Sequence, residues 1–127
     1  MTLSVLIPAF NERQTIAQAI ERVLQEDVVS QIIVVDDGSS DGTREILMKL
    51  KHRDERIEIV FHDTNRGKGA AVRTARSRAR APVSIIHDAD LEYHPTDFVT
   101  VIQPILDGHS NVVYGSRVLH PDNQYPL

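Results

Sequence analysis

Val83-Ser84-Ile85-Ile86-His87-Asp88-Ala89-Asp90-Leu91-Glu92 begins as an apolar run and ends in acid. Val83 to Ile86, with three β-branched residues in four, reads as a short strand buried on both faces. Strand side chains alternate, so Asp88 and Asp90 are expected on one side and Ala89 on the other. Two carboxylates on one side at the end of a buried strand repel each other unless a cation sits with them. A hard divalent cation such as Mg²⁺ or Mn²⁺ resolves that conflict and keeps positions for water and for the oxygens of a phosphorylated substrate. Taken alone, the same residues also suit an acidic turn after a strand.

Working outward, the same apolar signature recurs at Leu3 to Ile7, Gln31 to Val35, Ile57 to Phe61 and Asn111 to Tyr114. Pro8 is expected to end the first of these strands. Between them lie helical patterns. From Thr15 onward Ile16, Ala17, Ala19, Ile20, Val23 and Leu24 recur at helical spacing. Asp41 or Thr43 caps a second helix that turns Ile46, Leu47 and Leu50 inward. A third runs from Ala70 to Arg80 with Ala71, Val72, Ala75 and Ala79 on one side. A fourth spans Pro95 to Leu106, with Val99, Ile102, Ile105 and Leu106 inward, and Asp107-Gly108 stops it. Strands that are apolar throughout and alternate with helices predict an α/β fold: a mostly parallel sheet with helices on both faces. Residues 1–127 read as a single domain.

At 127 residues, 41% hydrophobic and 25% charged, the chain has the composition of one globular domain with a real core. A net charge of -4 carries no electrostatic footprint for nucleic acid. The absence of cysteine removes disulfides and thiolate metal sites. Met1 to Ile7 reads as a strand and not a signal peptide, and no run reaches the length needed to cross a bilayer. The expected location is cytoplasmic, with the cytoplasmic face of a membrane left open.

Ligands of such sheets bind beyond the carboxyl ends of the strands. Asn11-Glu12, Asp36-Asp37, Asn65 to Gly69, Asp88 to Glu92 and Ser116-Arg117 all fall there. An acidic residue at Asp36-Asp37 is placed to accept from a base or a ribose hydroxyl, or to make a tight turn and a helix cap. Gly67-Lys68-Gly69 opens a helix, where backbone N–H groups and the helix dipole favour a phosphate, although a loop with one solvated lysine fits equally. Its spacing up to Val72 is not the dinucleotide fingerprint, which belongs to the first strand–helix turn and has Gly or Ala third. Arg117, after a strand and a glycine, suits a phosphate clamp or a solvated surface. Arg73, Arg76, Arg78 and Arg80 form a basic flank, read as solvated, with an anionic membrane surface as the minor alternative. The histidines lack metal-ligand spacing, and His87 reads as packed or hydrogen-bonded.

Ile7-Pro8-Ala9-Phe10-Asn11-Glu12, Val34-Val35-Asp36-Asp37-Gly38-Ser39, Asn65-Arg66-Gly67-Lys68-Gly69-Ala70, Asp88-Ala89-Asp90-Leu91-Glu92-Tyr93 and Gly115-Ser116-Arg117 occur in the order and spacing of family 2 glycosyltransferases. Nearly the whole chain resembles that family, and within it the polyprenyl-phosphate branch that includes the dolichol-phosphate mannose synthases. The resemblance implies a GT-A fold and the inverting, metal-dependent transfer of a hexose from a nucleotide-diphospho-sugar, of the GDP-mannose or UDP-glucose type, to polyprenyl or dolichyl phosphate. It implies that Pro8, Ala9, Phe10, Glu12 and Asp37 line the nucleotide pocket. Lys68 and Asp88 are grouped with them as nucleotide contacts. Asp88 and Asp90 become the metal-binding Asp-x-Asp pair, with Asp90 the more direct ligand of Mg²⁺ or Mn²⁺ and Glu92 a further one. Arg117 is expected to face a phosphate of donor or acceptor. Phe10 stands where tyrosine is common, His87 where glutamine is common, and Glu92 where dolichol-phosphate mannose synthases often carry glutamine. Relatives in the branch continue with acceptor-side loops and amphipathic helices, so the chain is read as the donor-binding portion, truncated on its acceptor side. A glycan or polysaccharide acceptor and a nucleotide-sugar-binding fragment without transferase activity are the alternatives. A sugar-phosphate nucleotidyltransferase fits less well, because it calls for a glycine-rich, lysine-containing loop where Pro8 to Glu12 stand.

Overall fold

The computed structural model of the chain describes residues 3–89, Leu91, and the strand residues 112–114 and 117–119. Its elements are β1 (Leu3–Ala9), α1 (Ile16–Leu24), β2 (Val29–Asp37), α2 (Thr43–Leu50), β3 (Ile57–His62), α3 (Lys68–Ser77), β4 (Val83–Ile86), β5 (Val112–Tyr114) and β6 (Arg117–Leu119). Asp90, Glu92, Gly115, Ser116 and the helix expected from Pro95 to Leu106 lie outside the described residues.

The strands form one sheet in the order β3-β2-β1-β4-β5-β6. Every neighbouring pair is parallel except β5–β6. The reason is legible in β1. Leu3, Val5 and Ile7 enter one apolar cluster with Ile16, Ile20 and Val23 of α1 and Leu47 of α2. Leu6, one step out of phase, enters another with Ile33, Val35 and Ala71, Val72 and Ala75 of α3. Helices thus cover both faces, and a strand apolar on both sides has a partner for each. Burying each such valine, leucine or isoleucine contributes about 1.5–3 kcal/mol.

Several boundaries differ from expectation: β2 runs from Val29 to Asp37 and not from Gln31 to Val35, β3 ends at His62, and α3 ends at Ser77 and not at Arg80. β1 does not end at Pro8 but runs to Ala9, pairing Pro8 with Val35 and Ala9 with Asp36. Alternate residues of a strand turn their peptide groups to alternate neighbours. Leu6 O accepts from His87 N on the β4 side, so Pro8 faces that side too. There the β4 ladder stops at Leu6–Ile86, so the missing N–H interrupts no pairing. The third helix begins at Lys68, two residues before the expected Ala70. Gly67, at φ 96°, takes a conformation open to glycine, and its carbonyl accepts from Ala71 N. Lys68 therefore stands on a helix and not in a loop. β6, antiparallel to β5, was not expected either.

The amino edge of the sheet is fastened by a buried amide. Gln31 Oε1 accepts from Ser4 Oγ at 2.7 Å and Arg80 N at 2.9 Å. Its Nε2 donates to Arg78 O at 2.8 Å and to Glu58 at 3.4 Å. All four hydrogen-bonding positions of the amide are used. Glu58 also pairs with Arg78 and Arg80, which assigns half of the basic flank to an exposed ion-pair cluster. Gln31→Leu orphans the Arg80 N–H and should cost about 1–3 kcal/mol. Urea unfolding reads that loss, while nucleotide binding by the folded variant should be unchanged, because Gln31 lies at the edge opposite the polar loops.

Candidate functional site

The chain runs from β1 to β2 to β3 in one direction across the sheet, then returns so that β4 lies on the other side of β1. Where strand order reverses, the loops after β1 and β4 part and leave a crevice beyond the carboxyl ends. A cleft of about 290 Å³ opens there. Pro8, Ala9, Phe10, Glu12, Asp37, Lys68 and Asp88, each expected from the sequence, all line it, together with Asn65 of the expected polar loop and with Ala71 and Ala89, which carried no site role. Asp88 and Ala89 both line the cleft, and Ala89 is also packed in the α1-side core, while Asp90, the residue expected to share a side with Asp88, lies outside the described residues. Phe10 is 45% exposed, so its ring offers a flat apolar surface at the cleft.

The loop after β1 is clasped to the loop after β2. Asn11 N donates to Ser39 Oγ, and Asn11 Oδ1 accepts from Ser40 N, both at 2.9 Å. Glu12 N donates to Thr43 Oγ1 at 2.9 Å, and the Thr43 hydroxyl donates to Asp41 Oδ1 at 2.6 Å. Asp41 also accepts from the backbone N–H of Thr43. Burial acts to raise the Asp41 carboxyl, but the Thr43 hydroxyl and the N–H groups of Thr43 and Arg13 together hold it below the usual carboxylate value. The clasp fixes Phe10 and Glu12 at the cleft. Neither expected residue caps α2: its N-cap is Gly42, without a side-chain cap bond, while Asp41 accepts from Thr43 N and the buried Thr43 holds Glu12.

Asp36 and Asp37 part company. Asp36 is fully buried on the α1 face, and neither of its carboxylate oxygens has a hydrogen-bond partner among the described residues. Asp37 faces α3 and the cleft. Its Oδ1 accepts from His62 Nδ1 at 2.8 Å and Arg66 N at 2.9 Å, and its Oδ2 from Gly67 N at 2.9 Å. His62 Nε2 meets Thr74 Oγ1 at 2.9 Å. The N–H groups that open α3, expected to be offered to a phosphate, are thus partly taken by the protein's own carboxylate. Gly38 makes this possible: a Cβ there would lie 2.6 Å from Asn65 N and 2.7 Å from Thr64 C. His62 was considered in the sequence only for metal spacing. Its signal was its place at the carboxyl end of β3, in register with Asp37.

Lys68 Nζ lies 2.7 Å from Asp88 Oδ1. No group of three or more potential metal ligands occurs among the described residues. Asp90 and Glu92 fall outside them. Arg117 is the first residue of β6, paired with Tyr114 at the carboxyl end of β5, and so its backbone stands on the same edge as the cleft. No helix among the described residues is long and apolar enough to cross a membrane.

Burial acts to raise the Asp37 carboxyl, but the hydrogen bonds from His62, Arg66 N–H and Gly67 N–H outweigh it and hold the group below 3.8. A depressed carboxyl contributes stability that is complete above the unfolded value and is lost as pH falls through the lower, folded value. Urea midpoints measured downward from about pH 6 should therefore fall more steeply for the native chain than for Asp37→Asn.

The Glycosyl transferase family 2 model matches residues 4–127. The chain is 32% identical to the UDP-N-acetylglucosamine–dolichyl-phosphate N-acetylglucosaminyltransferase of Methanococcus voltae, over 92% of this chain and 52% of that protein. It is 30% identical to the dolichol-phosphate mannosyltransferase of Mycosarcoma maydis, over 98% of this chain and 46% of that protein. It thus spans about half the length of these curated relatives. Among solved structures, glucosyl-3-phosphoglycerate synthase from Mycobacterium tuberculosis, in complex with Mn²⁺, UDP-glucose and phosphoglyceric acid, superposes with a TM-score of 0.69 at 26% identity, over 84% of this chain and 40% of that one. The α/β architecture is that of the GT-A glycosyltransferases, and the chain belongs to glycosyltransferase family 2.

Proposed function

We propose that residues 1–127 form the donor-binding unit of a glycosyltransferase that transfers a hexose, with inversion, from a nucleotide-diphospho-sugar to polyprenyl or dolichyl phosphate. One observation carries the reading: a single cleft brings base-reading groups and a cation-holding carboxylate together. Phe10 supplies a face for the base. Asp37 is oriented by three donors and, as an acceptor-only carboxylate, keeps lone-pair capacity on Oδ2 for a base or ribose donor. Glu12, set by Thr43, lies beside it.

Asp88 in the cleft is paired with the Lys68 ammonium, so its carboxylate stands where positive charge is held, which supports a cation there. Asp88, with Asp90 and Glu92 from the adjoining sequence, would hold Mg²⁺ or Mn²⁺. When bound, that ion supplies Lewis-acid neutralisation of the departing diphosphate. The Mn²⁺ complex of the mycobacterial synthase supports this assignment. Arg117, beginning β6 on the same edge, is assigned to a phosphate of donor or acceptor.

The relatives that act on dolichyl phosphate support a lipid-phosphate acceptor. Its chemistry suits a site in which no general base is assigned. A phosphate monoester, with a second pKa of about 6, is already largely ionised at neutral pH. The polyprenyl chain places the reaction at a membrane surface. The mycobacterial synthase was captured with phosphoglyceric acid, which favours as second reading a family 2 transfer to a different acceptor.

Calorimetric titration of the chain with UDP, GDP, UDP-N-acetylglucosamine, UDP-glucose and GDP-mannose, with Mn²⁺ or EDTA, tests the donor site. Binding that requires Mn²⁺ and is lost in Asp90→Asn is the expected result, and it identifies the base. A folded chain that binds none of the five overturns the reading. Transfer to a short-chain polyprenyl phosphate, against a glycan acceptor, then separates the two acceptors.

A further inference from the structure

His62 is buried at the end of β3 and does not line the cleft, but it bonds Asp37, which does. Its Nδ1 lies 2.8 Å from Asp37 Oδ1, and its Nε2 lies 2.9 Å from Thr74 Oγ1 of α3. The Asp37 carboxyl is held below its usual value, so it is ionised at neutral pH and only accepts. Nδ1 therefore donates to it. The Thr74 hydroxyl can donate to a bare Nε2 or accept from Nε2–H, so the ring is braced in either protonation state. Asp37 in turn is nearly full. Its Oδ1 accepts from His62 and from Arg66 N, and its Oδ2 accepts from Gly67 N. A carboxylate offers about four lone-pair sites, so about one is left, on Oδ2. The terminal torsion of an aspartate is broad, so the direction of that last site depends on the donors that grip the others. Two of those donors are backbone groups of one loop. His62 supplies the third, from a different strand.

We propose that His62, backed by Thr74, is a positioning residue for nucleotide recognition: it aims the last Oδ2 site of Asp37 at an N–H on the base of a bound nucleoside diphosphate. This rests on the donor-site reading of the cleft and adds to it a residue that never touches the nucleotide. Without Nδ1–H, Oδ1 regains a free site and the carboxylate is gripped by the loop alone. The carboxylate turns, and the base loses its acceptor. The phosphate side of the site, assigned to Asp88 and Arg117, follows β4 and begins β6, so it keeps its hold. His62 therefore bears on how well the base is read and not on how well the diphosphate is held.

The test compares ligands across variants of the whole chain. Calorimetry gives the affinities of UDP, GDP and base-free ribose 5-diphosphate, each with Mn²⁺, for the wild type, His62→Leu, His62→Asn, His62→Gln and Thr74→Val. Circular dichroism confirms folding. The quantity read is the advantage of the better nucleotide over ribose 5-diphosphate. His62→Leu should cut that advantage about tenfold while ribose 5-diphosphate binds as before. His62→Asn carries an amide N–H at the Nδ1 position and should restore most of it. His62→Gln carries its amide at the Nε2 position and should not. Thr74→Val keeps the shape of threonine without its hydroxyl. It should cut the advantage by a smaller factor, and it carries the test if His62→Leu does not fold. An advantage absent from the wild type, or unchanged in the folded variants, overturns the role of His62 and leaves the donor site standing. An equal loss for nucleotide and ribose 5-diphosphate also overturns it, because that marks a merely structural role, and so does a His62→Gln that matches His62→Asn. A folded wild-type chain that binds neither UDP nor GDP overturns the donor-site reading, and the role of His62 with it.

Discussion

Three donors converge on the carboxylate of Asp37. His62 brings the end of β3, and the N–H groups of Arg66 and Gly67 bring the loop that opens α3. Burying a carboxylate is costly unless its lone pairs are met, so these three segments are held together by the group they share. The helix that results sets Lys68 toward Asp88, and the close approach of Gly38 to residues 64 and 65 lets the loop pass. Thr74 extends the chain of contacts through His62 into the body of α3. The Asp37 side and the Lys68–Asp88 side of the cleft are thus built on one polar junction.

The second constraint is burial. β1 and β2 are covered on both faces, so polar chemistry has room only at the strand ends. The two ends are used differently. At the amino edge, Gln31 consumes its whole hydrogen-bonding capacity on Ser4, Arg80, Arg78 and Glu58, which makes a closed structural fastening. At the carboxyl edge, capacity is left over: Asp37 keeps acceptor room, and Phe10 keeps an exposed ring. A site is distinguished from a fastening by what its groups still have to offer.

The parallel core was legible because Ile32-Ile33-Val34-Val35 and its counterparts have no polar face to give to water. The cleft was legible because the motif residues fall at strand ends, where loops of a parallel sheet meet. The rest depends on contacts between segments far apart in sequence. Nothing near Thr43 says that its hydroxyl will hold Glu12, and nothing near Lys68 says that it will meet Asp88. Pro8 misleads as a strand stop, since proline is harmless where the neighbouring ladder has already ended. The start of α3 was missed because glycine on both sides of Lys68 reads as loop until Gly67 is seen to serve as the cap.

The strand order also bears on how the chain assembles. β1, β2 and β3 pair through short connections, whereas β1 and β4 meet only when Leu3 reaches Val83. Closing that loop carries a larger entropic cost than the earlier pairings, so it favours late formation. The cleft lies across that seam, with Pro8 and Phe10 on one bank and Asp88 on the other. A molecule that fills it touches both banks of the longest loop closure in the sheet, and by mass action it resists their separation.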